Sequence, residues 1–163
     1  IILALPIILI ALVLVVSLGS SFQLIIVILA IAIWPLFSRV TRGEVLRVKD
    51  MDYVALARVS GASTLRIMFV HILPGVANSV IVVATLLVGV IILLEAALSF
   101  LGAGVPPPTP AWGSMLAEGR DRIAVAWWIS ALPGIAIFLT VLSLNLFGDW
   151  LRDALDPKLR HLE

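Results

Sequence analysis

The chain alternates long apolar runs with short polar segments, and the lengths of the runs indicate its class. Four apolar runs occupy about residues 1–18, 22–37, 78–101 and 124–147. Each is near the roughly 20 residues that an α-helix needs to cross the hydrocarbon core of a bilayer. The pattern predicts an all-α membrane protein, a polytopic helical bundle with four transmembrane helices in a single domain.

Composition supports this class. The chain is 62% hydrophobic and 13% charged, with a mean hydropathy of +1.20, whereas soluble domains are about 45–50% apolar and about 25% charged. A net charge of +1 without a basic face argues against a nucleic-acid partner. Without cysteine there is no disulfide or thiolate metal site. Because the chain begins inside an apolar run without methionine, we expect an N-terminally truncated part, 1–163, of a longer protein.

The largest polar segment, residues 39–74, separates the second apolar run from the third. We predict two short helices there, broken at Gly61, because glycine ends a helix at the least cost. Ser63 is placed to cap the second helix. That helix has an apolar stripe with helical spacing: Leu65, Met68, Phe69, Ile72 and Leu73. Ile67 and Val70 fall off the stripe, so we expect partners to bury more than one side of the segment.

This segment resembles the cytoplasmic coupling loop of bacterial ABC importer permeases. The family pattern is Glu-Ala-Ala, three residues, Gly, nine residues and Ile-x-Leu-Pro. The chain matches it at Ala57, at Gly61 and in the run Ile72-Leu73-Pro74, while Ala55 stands in place of Glu and Leu56 in place of the first Ala. The resemblance assigns contacts with an ATPase to these loop residues: Ala55, Leu56, Ala57, Gly61, Ala62, Ser63, Leu65, Ile72, Leu73 and Pro74.

Two further motifs, Ser99-Phe100-Leu101-Gly102 and the run from Pro107 to Gly113, resemble the dipeptide, oligopeptide and nickel group of these permeases. The resemblance implies the second permease subunit of a type I ABC importer, forming half of the pathway for di- or oligopeptides. The implied partners are a sister permease subunit, two ATP-binding cassette ATPase subunits, an external solute-binding protein and membrane lipid. The ATPases would bind ATP and magnesium, so this chain is expected to hold no cofactor and not to be an enzyme. The implied location is the bacterial cytoplasmic (inner) membrane.

Two alternatives stay open. The first is a permease of the same family for nickel or another small solute, because the sequence does not choose among dipeptides, longer peptides, nickel complexes and glutathione-like solutes. The second, from a different class, is a membrane scaffold that transports nothing. A scaffold needs neither an acidic residue at membrane depth nor a fixed spacing between Gly61 and Pro74, and the chain has both.

The distribution of basic residues predicts the orientation, because basic loops stay in the cytoplasm. Nine of the eleven lie in the coupling loop, 39–74, and the tail, 148–163: Arg39, Arg42, Arg47, Lys49, Arg58, Arg66, Arg152, Lys158 and Arg160. Two, Arg120 and Arg122, lie in the segment 102–123. The loop and tail are therefore expected inside the cell, and 102–123 is expected to form an external loop, either a docking site for the binding protein or a rigid connector.

Glu95 is the one ionisable residue within an apolar run. A charged side chain at membrane depth costs on the order of 2.5–3.5 kcal/mol on insertion scales, so it is expected to face protein or a cavity rather than lipid. It is either a pathway or gate residue or a structural carboxylate with a partner.

Other chemistry finds no support in the sequence. Neither lysine follows the glycine-rich loop of nucleotide-binding proteins, and the motifs of serine hydrolases and zinc proteases are absent. His71 and His161 have no second ligand at a useful spacing, so no metal site is expected.

Overall fold

The computed structural model describes residues 6–155, and all regular secondary structure in that range is helical, which confirms the all-α prediction. The elements, in chain order, are α1 (Ile7–Leu18), α2 (Phe22–Lys49), α3 (Asp52–Val59), α4 (Thr64–Arg66), a π-helical turn (Ile67–Ile72), α5 (Leu73–Phe100), α6 (Trp112–Arg120) and α7 (Trp128–Leu155).

Three helices among the described residues are long and apolar enough to cross a membrane: Phe22–Lys49, Thr64–Phe100 and Trp128–Leu155. α1 is also apolar but has 12 residues, which at ~1.5 Å per residue is about 18 Å. That is short of the hydrocarbon core of a bilayer, about 30 Å. The predicted start of the first span, ahead of Pro6, lies outside the described residues. The structure therefore confirms a multi-pass helical protein, and three of the four predicted spans appear as full-length helices.

The spanning helices α2 and α7 continue beyond the apolar runs that predict them. α2 ends at Lys49 rather than near residue 37, and α7 ends at Leu155, inside the predicted tail. Polar residues sustain the extension of α2, where Arg47 and Glu44 form an ion pair at 2.8 Å. Such a pair at i,i+3 spacing favours the helix. Hydropathy thus locates the part of each helix inside the membrane and misses its end.

The helix after Gly61 is not the short element that the sequence predicts. It continues from α4 through the π turn into α5 without a break. The third span is therefore present, but its helix starts at Thr64 rather than near residue 78 as predicted. The Leu73 N–H bonds to the Met68 carbonyl, five residues back. In an α-helix, Pro74 lacks an N–H and its ring collides with the carbonyl four residues earlier. The wider π turn replaces the regular pattern just where this conflict arises.

The described residues form two compact units. The first unit combines residues up to Pro35 with Leu87–Asn145, and the second combines Leu36–Leu86 with the residues from Leu146 onward. One hydrophobic core cluster of the first unit consists of Ala11, Val15, Ile25, Ile28, Leu29, Leu98 and Ala103. The most deeply buried side chains of the second unit are Val48, Val54 and Val76. The predicted coupling loop falls in the second unit, whereas Glu95 and the predicted external loop fall in the first.

Candidate functional site

The chain reverses at Gly61 in a turn that is common at helix C-termini. Gly61 has a φ of +80°, and its N–H bonds to the Arg58 carbonyl at 3.1 Å. The Ala62 N–H bonds to the Ala57 carbonyl, also at 3.1 Å. This pair of bonds is the Schellman motif, which places a left-handed residue one position after the helix cap. The break predicted at Gly61 is confirmed.

The reason for glycine at this position is its backbone angle alone. A Cβ atom placed on Gly61 finds no heavy atom within 4 Å. The space at the bend therefore does not exclude a side chain. Only glycine adopts a positive φ without strain, and this requirement is enough to explain the residue.

The helix after the turn begins with the predicted cap. The Ser63 side-chain oxygen accepts a hydrogen bond from the Arg66 N–H at 3.4 Å, and the Ser63 backbone is extended (φ −64°, ψ 153°). This arrangement satisfies one of the N–H groups that every helix start leaves without a partner. Gly61 and Ser63 together fix the path of the chain between α3 and α4.

Large apolar side chains around this turn are exposed. Leu56, Val59 and Leu65 are 67%, 87% and 67% exposed. We call the exposed set the coupling surface: Leu56, Val59, Leu65, Met68 and Phe69. Ile67, which lies off the predicted stripe, is the buried residue of this turn. The stripe therefore faces away from the rest of the unit.

The other predicted coupling residues lie around this surface. Ala55 is exposed, whereas Ala57 and Ala62 are half-buried. Leu73 and Pro74 are exposed at the start of α5, and Ile72, at the end of the π turn, is half-buried. Residues on both sides of Gly61 thus contribute to one segment of the second unit, and α3 contacts the π turn directly.

Two residues of α3 that the sequence analysis did not single out are packed against the rest of the unit. Val54 is fully buried. The Tyr53 hydroxyl donates a hydrogen bond to the His71 carbonyl at 3.4 Å, and it lies so close to Gly75 that a Cβ there would stand 2.8 Å from the hydroxyl oxygen. The one sequence signal was that Tyr53 is the single tyrosine of the chain. The packing gives the exposed coupling surface a fixed base.

The charges near the turn favour its helices but form no cluster. Asp52 lies in the first turn of α3 and Arg58 in its last turn, which matches the helix dipole at both ends. Arg66 is also exposed. Within residues 6–155, no three acidic or histidine side chains converge as a metal site requires.

Glu95, in the first unit, has a partner. The Ser99 hydroxyl donates to the Glu95 carboxylate oxygen Oε1 at 2.5 Å, and the same hydroxyl accepts from the Val105 N–H at 3.3 Å. Ser99 is 4% exposed and is the one buried polar residue among those described. The sequence analysis named Ser99 only as part of a family motif and did not pair it with Glu95, although their i,i+4 spacing places both side chains on one helix face.

The chain leaves α5 through a second turn of the same type as that at Gly61. Gly102 has a φ of +81°, its N–H bonds to the Ser99 carbonyl at 3.1 Å, and the Ala103 N–H bonds to the Leu98 carbonyl at 2.8 Å. The segment that follows, residues 102–113, is called the outer loop below. Its residues Pro107–Pro110 are exposed.

Comparison with known proteins gives a consistent result. The family model described as "Binding-protein-dependent transport system inner membrane component" matches residues 1–161. The chain is 50% identical over 161 residues to "Di/tripeptide transport system permease protein DppC" of Pseudomonas aeruginosa, covering 99% of this chain and 53% of that protein. It is 48% identical over 157 residues to "Glutathione transport system permease protein GsiD" of Salmonella paratyphi A, covering 96% and 52%. The same-named protein of Escherichia coli O1:K1 / APEC is 46% identical over 157 residues. The chain spans about half the length of the curated relatives it matches.

Proposed function

The chain belongs to the family of binding-protein-dependent transport system inner membrane components, and from this membership we propose that it is the membrane-spanning part of an ATP-driven peptide importer subunit. It would form half of a translocation pathway, beside a sister permease, and couple to two cytosolic ATPase subunits. An external solute-binding protein would deliver the solute. The family is one of transport components rather than of enzymes.

The proposed solutes are short peptides. The relatives are named for transport of di- and tripeptides and of glutathione, and glutathione is itself a peptide of three residues. The identities of 50% and 48% support this solute class and do not separate its members.

The observation that carries the coupling proposal is the coupling surface. Fully burying an apolar side chain of this size is worth about 1.5–3 kcal/mol relative to leaving it in water. Five such side chains stand bare around a turn whose backbone is fixed by Gly61 and Ser63. An exposed apolar surface of this kind fits a cleft on a partner protein, and we assign that cleft to the cytosolic ATPase.

The membrane arrangement extends the same proposal. The distribution of basic residues supports a cytoplasmic coupling surface and an external outer loop. The first predicted span, 1–18, would include α1. Glu95 would act at the outer gate of the pathway.

The proposed mechanism is mechanical. When the ATPase subunits close on ATP they move the coupling surface, and the spans rock as rigid bodies between inward-open and outward-open states. The Tyr53 hydroxyl, which bonds to the His71 carbonyl and lies beside Gly75, links α3 to the start of α5. A displacement of α3 therefore reaches a spanning helix through packed side chains.

A charge placed in the coupling surface tests the proposal. In the full-length permease, Val59→Asp places a carboxylate in the assigned interface, where an unpaired buried charge costs several kcal/mol. We expect co-purification of the ATPase subunit to fall at least tenfold. Val125→Asp is the matched control, because Val125 is 83% exposed in the turn before α7 and Val59 is 87% exposed. Full retention of the ATPase by Val59→Asp would contradict the assignment.

The solute class needs its own experiment. The complete transporter, reconstituted in vesicles with its binding protein, is supplied with a labelled dipeptide, a tripeptide, glutathione or nickel. Uptake of the peptides with ATP hydrolysis supports the proposal. Uptake of nickel alone supports the other member of the family, and hydrolysis that no solute stimulates supports the scaffold.

A further inference from the structure

Ser99 lies where α5 meets the outer loop in the first unit. Its hydroxyl has one hydrogen, which it donates to Glu95, and its oxygen accepts the Val105 N–H from the outer loop. One buried hydroxyl thus connects a carboxylate on α5 with the backbone of the loop that follows the helix.

The outer loop packs against Ser99 at glycine positions. A Cβ on Gly104 would collide with the Ser99 side chain and backbone, and a Cβ on Gly113 would collide with the Ala96 carbonyl and stand 2.7 Å from the Ser99 Cβ. The Ser20 hydroxyl, at the turn between α1 and α2, donates to the Gly104 carbonyl at 2.8 Å. The loop backbone therefore lies directly on α5, against Ser99.

Other helical serines in the chain behave differently. Ser17 and Ser143 within helices, and Ser60 at the C-cap of α3, each donate to the backbone carbonyl four residues earlier, a common arrangement for serine in helices. Ser99 instead donates to the side chain of the residue four positions earlier, which is Glu95. Without that carboxylate we expect Ser99 to rotate to the default bond, which would leave the N–H of the half-buried Val105 without its acceptor.

We infer that Glu95 is a positioning residue, which through Ser99 holds the outer loop in the form that the external solute-binding protein recognises. This inference rests on the proposed function for its partner but not for its geometry. The exposed prolines and Thr109 at the tip of the loop offer the contact, and Glu95 sets their position from within the helix without contacting the solute. Its part in the outer gate is to keep this loop ordered.

The geometry is tested by a spin label at Thr109→Cys in the full-length permease, assembled with its partners in lipid nanodiscs. Ser99→Ala and Glu95→Leu should increase the mobility of the label. Glu95→Gln keeps an oxygen that accepts from Ser99 and should leave mobility unchanged. Ser143→Ala, which removes a serine that bonds only its own helix, is the matched control. Unchanged mobility in both Ser99→Ala and Glu95→Leu would overturn the inference.

The second readout separates loop positioning from a general loss of structure. ATP hydrolysis is titrated with the peptide-loaded binding protein. For Glu95→Leu the concentration giving half-maximal stimulation should rise about tenfold, the scale of one lost hydrogen bond, with the maximal rate retained. Glu95→Gln should restore the original value. A Glu95→Gln variant as impaired as Glu95→Leu would show that the charge itself acts in the pathway, and the inference would be wrong.

The two experiments also keep this inference apart from the proposed function. If the unmodified complex shows no stimulation by a peptide-loaded binding protein, the proposed function fails. The mobility of the label still decides whether Glu95 positions the loop. If Glu95→Leu does not assemble, Ser99→Ala removes the same connection and gives the same decision.

Discussion

The turns at Gly61 and Gly102 share one backbone geometry and differ in their surroundings. The two glycines have φ values of +80° and +81°, and in both turns the next N–H bonds to a carbonyl five residues back. At Gly102 the flanking side chains, Leu98 and Ala103, are 2% and 3% exposed. At Gly61 the equivalent positions are half-exposed alanines, and the neighbouring Leu56 is bare.

The difference shows that the local sequence sets the turn while burial decides its use. The chain itself completes the packing around Gly102, so that turn serves the internal structure of its unit. Around Gly61 the apolar surface stays uncovered, as expected where another protein completes the packing. A glycine motif alone therefore predicts a bend and does not say whether the bend is a docking site.

The largest expected difference between the two regions is the side of the membrane on which each one lies. Ser60→Cys and Thr109→Cys are exposed positions beside the two regions. An impermeant thiol reagent on intact cells should label Thr109→Cys fully, and should label Ser60→Cys only after permeabilisation. The pattern is expected because basic residues favour the cytoplasmic side. Labelling of Ser60→Cys in intact cells would reverse the orientation.

The next effect is on stability. Leu98→Ala leaves a cavity in the core of the first unit, and we expect a loss of about 2–3 kcal/mol, the lower part of the range for buried leucines, because lipid replaces water as the reference. Leu56→Ala should change stability by less than about 0.5 kcal/mol and should weaken ATPase binding. Thermal unfolding of the purified full-length permease and ATPase co-purification measure the two quantities. Equal stability losses would mean that Leu56 is not a free surface residue.

Gly61→Val should separate transport from ATP hydrolysis. A β-branched residue at positive φ costs about 1–3 kcal/mol, which shifts the turn and displaces the coupling surface. We expect the peptide taken up per ATP hydrolysed to fall about tenfold, with the permease still inserted. Gly43→Val is the matched control, because Gly43 is also open to solvent but lies within α2 without a positive φ. Normal uptake by Gly61→Val would contradict the coupling assignment.

The smallest effect tests whether the two backbones are equivalent. A Cβ at either Gly61 or Gly102 meets no atom within 4 Å. The only expected cost of alanine is therefore the backbone strain of the positive φ. Gly61→Ala and Gly102→Ala should each cost about 1 kcal/mol of local stability. Hydrogen exchange of the amides in the two turns measures it. A difference of more than twofold between the costs would show that packing, and not φ alone, selects glycine at one of them.

The features that the sequence predicts well are local. The apolar runs, the break at Gly61 and the cap at Ser63 each depend on a few neighbouring residues. The described residues contain the break, the cap and three of the four runs as full-length helices. The contacts of the fold were not predictable in this way. The hydrogen bonds from Tyr53 to His71 and from Ser20 to Gly104 join residues far apart in sequence.

The sequence analysis misplaced the end of α2 and predicted a helix break near Pro74, because hydropathy and a single proline do not decide where a helix ends. α2 continues past the apolar run because helix propensity and an ion pair do not depend on hydropathy. Pro74 indicates a break by itself, but the π turn before it accommodates the proline within one helix. The ATPase contacts assigned to the coupling loop stay a prediction, since they lie on a surface that a second protein would cover.

The short length of α3 has a consequence for the design of inhibitors. α3 has 8 residues, whereas isolated helices below ~12–15 residues are marginal in water. Its shape comes from the burial of Val54 and Ile67 and from the contact of Tyr53 with the start of α5. A free peptide with the sequence of this region would lack these contacts. It would have to form the helix on binding, and the entropy cost of that ordering would lower its affinity. A competitor for the proposed ATPase cleft would need a covalent staple in place of these contacts, on the face opposite Leu56 and Leu65.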